Sequence, residues 1–199
     1  MRSPKTIARR FSSVTAILAI ALAGACDNPA EPIEGGGDPE NISRVTVRLT
    51  PTTGAVQTSV RVDPDGTTLP QPVGAAQGVL ALVKGMTYSG TITLLNDLDS
   101  RNVIDITKEV RNEANFHRFF YTLTCAGVTV PDAGLDLDTQ SPTKYPVGLN
   151  FQLVVAASAP TTSNCTLHVE LHHFEGTKGN GLGTVFDTDL SLDFPVTVN

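Results

Sequence analysis

From residue 42 onward the chain is a succession of short β-branched and aromatic runs separated by Gly, Pro, Asn and Asp. That pattern belongs to antiparallel strands joined by tight connections. It predicts strands near 43–50, 56–62, 77–83, 87–95, 116–125, 147–156, 164–173 and 185–198. One segment departs from the period of two. Over residues 105–115, Asp105 stands where a helix N-cap belongs and Ile106, Val110 and Ala114 fall on one face, which predicts a short helix. About eight strands and one short helix predict an all-β fold, an immunoglobulin-like antiparallel β-sandwich occupying residues 42–199.

Alternation is clearest near the C-terminus. Cys165, Leu167, Val169 and Leu171 are expected on one face of their strand, with Thr166, His168, Glu170 and His172 on the other. In the last strand Phe186, Leu190, Leu192, Phe194, Val196 and Val198 are expected to face the core, and Asp187, Asp189, Ser191 and Asp193 the solvent. The glycine-rich stretch 175–183 predicts a hairpin between these two strands. Matching the apolar faces sets His172 opposite Asp187 and Glu170 opposite Asp189. In the run Phe116, Phe119, Phe120, Tyr121, the expected division is Phe119 and Tyr121 on one face and Phe120 on the other.

The first 26 residues change the picture from a β-domain to an exported one. Arg2, Lys5, Arg9 and Arg10 precede an apolar run from Val14 to Ala23, too short to span a bilayer, and small residues follow where a signal peptidase cuts. The stretch resembles a bacterial lipoprotein signal peptide, with Leu22-Ala23-Gly24-Ala25-Cys26 as its lipobox. The resemblance implies removal of residues 1–25 and attachment of diacylglycerol and a further acyl chain such as palmitate to Cys26. Residues 26–41 then form a lipidated cysteine and an acidic, Pro/Gly-rich tether. Loss of the signal removes four of fourteen basic residues and no acidic ones, leaving ten against twenty, a net charge near −10. Nucleic acid is thereby excluded as a partner, whereas cations are attracted. Once Cys26 is lipidated, Cys125 and Cys165 remain, an even pair in an oxidising compartment and the expected disulfide.

For chemistry, the four histidines matter most, since imidazole and carboxylate are the natural ligands of zinc or copper. His172 with Glu170, Asp187 and Asp189 forms one candidate metal cluster, on the strand face expected to be wet. The plainer alternative is a solvated polar face. The acidic turns Asp63-Pro64-Asp65-Gly66, Asp97-Leu98-Asp99 and Asp136-Leu137-Asp138 complete no EF-hand and are expected to build turns. No Gly-x-Ser-x-Gly elbow occurs, no cysteine lies beside a histidine, and no catalytic residue is predicted.

The segments Thr87-Tyr88-Ser89-Gly90-Thr91-Ile92-Thr93-Leu94-Leu95-Asn96, Asp105-Ile106-Thr107-Lys108-Glu109, His117-Arg118-Phe119-Phe120-Tyr121, Pro146-Val147-Gly148-Leu149 and Asp193-Phe194-Pro195-Val196-Thr197-Val198 resemble a group of uncharacterised bacterial envelope lipoproteins. In that group a histidine precedes the Phe-Phe-Tyr, as His117 does, and another ends the penultimate strand, where His173 falls. The resemblance therefore implies a second candidate cluster, His117 with His173 and Glu113. It implies an envelope protein associated with outer-membrane uptake, and no assigned activity. The expected function is non-catalytic binding by a lipid-anchored monomer, capturing a transition-metal ion or assisting a transporter or receptor. Its expected location is the outer membrane, on the periplasmic or surface side. The alternative is a structural or protein-interaction module with no ligand of its own.

Overall fold

Nine strands and one helix appear in the computed structural model, which describes residues 41–64, 74–175, 178 and 185–199. The expected signal peptide, Cys26, nearly all of the expected tether and most of the loop 175–183 lie outside these residues. The strands are β1 Arg44–Pro51, β2 Gln57–Val62, β3 Leu80–Leu82, β4 Thr87–Leu95, β5 His117–Leu123, β6 Val128–Thr129, β7 Asn150–Val155, β8 Thr162–Phe174 and β9 Phe186–Val198. The helix α1 runs Ile106–Asn112. Among the described residues only the two-residue β6 and a 3-10 turn at Asp132–Gly134 escape the hydrophobic pattern, because neither is long enough to show a period.

Two sheets face one another, ordered β2-β1-β4-β7-β6 and β3-β9-β8-β5. Strands β1-β4-β7-β6 occupy the places of A-B-E-D in an immunoglobulin sandwich and β5-β8-β9 those of C-F-G, with β2 added outside β1. The sheets are not wholly antiparallel as expected: β3 runs parallel to β9, Leu80 beside Val196 and Leu82 beside Val198. The chain returns from β2 to the opposite sheet before entering β4, so β3 meets the edge of β9 in the same direction.

The apolar faces meet in one core that includes Val45, Val47, Leu49, Leu94, Phe119, Leu153, Leu167, Val169, Phe194 and Val198. Phe119 is fully buried, and Tyr121, which lies on the same face, donates its hydroxyl to the Gly148 carbonyl at 2.6 Å. Burial pushes the Tyr121 phenol well above its ordinary range. The Tyr121 ring packs tilted against Phe151, 4.3 Å between centroids, and Phe151 lies opposite Gly90 in the β4–β7 ladder. A Cβ on Gly90 would collide with the edge of the Phe151 ring at Cε2, Cζ and Cδ2. Gly90→Ala is therefore expected to cost about 1 to 3 kcal/mol through displacement of Phe151, measured by urea unfolding; an unchanged midpoint would contradict it.

Helix α1 buries Ile106 and Val110 as predicted, but it ends at Asn112, so the buried Ala114 lies past its C-cap Glu113 rather than on the helix. Asp105 does occupy the N-cap, yet its side chain makes no capping bond and instead faces Lys108 at 3.4 Å. Thr107 does the anchoring. Its hydroxyl accepts from the Leu94 amide and donates to the Leu94 carbonyl, which ties α1 to β4 and fixes where its C-terminal end, Glu113, arrives.

Candidate metal centre

Strands β5 and β8 pair antiparallel so that His117 stands opposite His173, with Arg118 opposite His172 and Phe119 opposite Leu171. His117 and His173 thus share the inward face that carries Phe119 and Leu171. Both are buried, and their rings lie 4.3 Å apart between centroids. Glu113, four residues before His117 at the end of α1, completes a group whose ligand atoms all lie within 4.8 Å of one another. A zinc ion with nitrogen and oxygen ligands at about 2.0 to 2.1 Å holds them about 3.3 Å apart, so small rotations would close the group around an ion.

The tautomer of His117 follows from its partner. Its Nδ1 lies 3.1 Å from the Glu113 carbonyl oxygen, which can only accept, so Nδ1 carries the proton and Nε2 the lone pair. Donation of the second ring N–H to a backbone carbonyl is how ligating histidines are commonly oriented. Burial, with His173 and Lys178 adding repulsion, holds the His117 imidazolium down to a pKa of about 3. Burial also lowers His173, against the pull of Asp187 and Glu109. Both rings are therefore neutral at pH 7, the form in which imidazole binds metal. Neither ring nitrogen of the buried His173 has a hydrogen-bond partner among the described residues.

The other cluster does not assemble as expected. A β-bulge between Leu171 and His172 changes the β8–β9 register: Leu171 faces Leu190, but His172 faces Thr188 and His173 faces Asp187, so Asp189 is the extra residue. Asp189 and Leu190 are both buried in consequence, Asp189 being 1 % exposed. The expected pairs His172–Asp187 and Glu170–Asp189 are overturned, and Glu170 faces Ser191. Asp187 stands exposed across from His173, and Asp189 turns inward, its Oδ2 lying 3.8 Å from His117 Nε2. This contact is no ion pair at neutral pH. Burial, reinforced by Asp187, raises Asp189 to about 7, while His117 stays uncharged.

On the outer face the bulge brings Phe186 beside His172, their rings stacked at 4.0 Å and 9°, rather than into the core. Phe120, also outward as expected, lies 4.6 Å from the same imidazole and beneath the Arg118 guanidinium at 4.7 Å. Glu170 approaches His172 and His168 at 3.5 Å each, and His168 contacts Asp193 at 2.9 Å. Glu170 and His172 thus belong to an aromatic and polar outer face, apart from the inward histidines.

Lys178 carries no signal in the sequence, because nothing in a glycine-rich loop marks one lysine as internal. It is fully buried, donates to the Ala114 carbonyl and, at 2.6 Å, to the His117 carbonyl, and burial lowers it to about 8. Of the acidic turns, Asp138 and Asp99 build local turns, accepting from the Ser141 and Arg101 amides, whereas Asp97 and Asp136 tie together segments distant in the chain. Asp136 accepts from the Gly148 and Asn150 amides, Asp138 from Ser141 and Tyr145, and Asp97 from Ser43 and Arg44. Cys125 and Cys165 are bonded, as expected, with Cα atoms 5.3 Å apart.

No protein-family model, curated protein or solved structure matches this chain.

Proposed function

We propose that the protein is a lipid-anchored, non-catalytic binding protein of the bacterial cell envelope that captures a transition-metal ion, zinc or copper, through His117, His173 and Glu113. The single observation that carries this reading is the buried imidazole pair beside a carboxylate, with both His173 nitrogens lacking hydrogen bonds among the described residues. Two buried unpartnered nitrogens on one ring are costly. An ion held by one of them would offset part of that cost. Soft-to-borderline nitrogen donors with a carboxylate suit zinc or copper better than calcium or magnesium, which take oxygen cages. Anchoring rests on the lipobox at Cys26, and the excess of acidic residues would concentrate cations near the site. An ion gathered there would suit a protein that serves an uptake system in the outer membrane.

The test uses soluble protein beginning at Asp27, purified without an affinity tag. Elemental mass spectrometry is expected to find near-stoichiometric zinc or copper, and zinc at a hundredfold excess over its dissociation constant should stabilise the fold by about 2.7 kcal/mol. His173→Ala and His117→Ala should abolish both, while His168→Ala on the outer face should not. Absence of metal together with unchanged melting in every ion would eliminate capture. The second reading, an interaction module, is favoured by one feature, the 43 % exposed Phe186 stacked on His172. It expects Phe186→Ser to weaken retention of an envelope partner, with no dependence on ions.

A further inference from the structure

We propose that Asp189, carried inward by the bulge in β9, is a carboxylate ligand of the ion bound at His117. This rests on the reading of His117 and His173 as metal ligands. Three observations lead to it. Asp189 is 1 % exposed and its Oδ2 has no hydrogen-bond partner among the described residues, so a buried carboxylate oxygen is held without a donor. That oxygen faces His117 Nε2 at 3.8 Å, beyond hydrogen-bond range yet near the separation of two ligands around one ion. Nε2 carries the lone pair, because Nδ1 is committed to the Glu113 carbonyl. The two atoms thus stand at about the separation that two ligands of one divalent cation would take.

The device that creates this geometry is the register change itself. Without the extra residue, Asp189 would face solvent beside Ser191; with it, Asp189 and Leu190 both enter the interior. Bulges recur next to sites where a side chain must be redirected. The group within 4.8 Å comprises Glu113, His117 and His173, so Asp189 reaches the ion from the His117 side alone. Two carboxylates therefore compete for one role. Asp189 holds the advantage of complete burial, whereas Glu113 is half-buried at the end of a helix.

Zinc affinity by competition with a chromogenic chelator, and the visible absorption of the cobalt-loaded protein, are measured for wild type, Asp189→Asn, Asp189→Ala, Glu113→Gln and His168→Ala. Removal of partners one shell further out already costs about 10- to 100-fold in affinity, so both Asp189 variants should lose at least tenfold and change the cobalt bands. His168→Ala should match wild type. The alanine variant guards against an asparagine oxygen coordinating in place of the carboxylate. Wild-type affinity and cobalt bands in both Asp189 variants, with loss in Glu113→Gln, would overturn Asp189 as a ligand and leave the capture site standing. Failure of wild type itself to take up zinc or cobalt would overturn both.

Discussion

Asp189→Asn is expected to stabilise the metal-free protein at pH 8, on the order of 2 to 4 kcal/mol, although it removes a native charge. Asp189 is 1 % exposed, and burial together with Asp187 raises its carboxyl from 3.8 to about 7. Each pKa unit is worth about 1.4 kcal/mol between the two protonation states, so holding this carboxylate charged at pH 8 costs the folded state several kcal/mol. The amide has nearly the same shape and no charge to desolvate.

The dependence on pH carries the sign. Between about 4 and 7 the folded state holds a proton on Asp189 that the unfolded chain has released, so its contribution is fully present below about 4 and is lost as pH rises through 7. His117 acts in the opposite direction. Its folded value of about 3 against an ordinary 6.5 means that stability is lost as pH falls from 6.5 toward 3. The groups around the pair are His173 on β8, Asp187 on β9, Glu109 and Glu113 from α1, and Lys178. In wild type the two slopes largely cancel between about 4 and 6.5. Asp189→Asn should expose the His117 slope, stability climbing with pH by up to about 1.4 kcal/mol per unit in that window. Urea unfolding in chelator from pH 4 to 8 measures it; a variant less stable than wild type at pH 8, or a parallel profile, would show that the carboxylate is not the source of the strain.

The second large effect belongs to the disulfide. Replacing Cys125 and Cys165 together by alanine is expected to lower the unfolding free energy by about 4 kcal/mol, since the bridge closes a loop of 40 residues in the unfolded chain. Both sulfurs are buried, and the bond joins β8 to the chain just after β5, beside the Leu123–Leu167 pair. His117 and His173 sit six residues away along the same ladder, about 20 Å at strand rise. Zinc affinity of the folded double variant should therefore remain within a fewfold of wild type. A drop below about 1 kcal/mol in stability, or loss of zinc binding with folding intact, would contradict this assignment.

Local pattern determined much of this protein. The strand predicted at 87–95 is β4 residue for residue, the helix buries Ile106 and Val110 as expected, and with Cys26 read as a lipidation site the two other cysteines left one pairing. These features are settled by neighbours along the chain: alternation sets a strand's faces, and 3.6-residue spacing sets a helix's. Tertiary structure decided the rest. The parallel placement of β3 depends on which edge a short strand reaches, and its three residues carry no such information. That His117 meets His173 was suggested by resemblance, but their contact comes from the β5–β8 register across 56 positions. Asp189 is the sharpest case. Its polar neighbours place it in solvent by alternation, and one residue unmatched by β8 reverses its parity and turns it toward His117. A bulge is a property of two paired strands, and the sequence of one strand read alone has no means of encoding where its partner will skip.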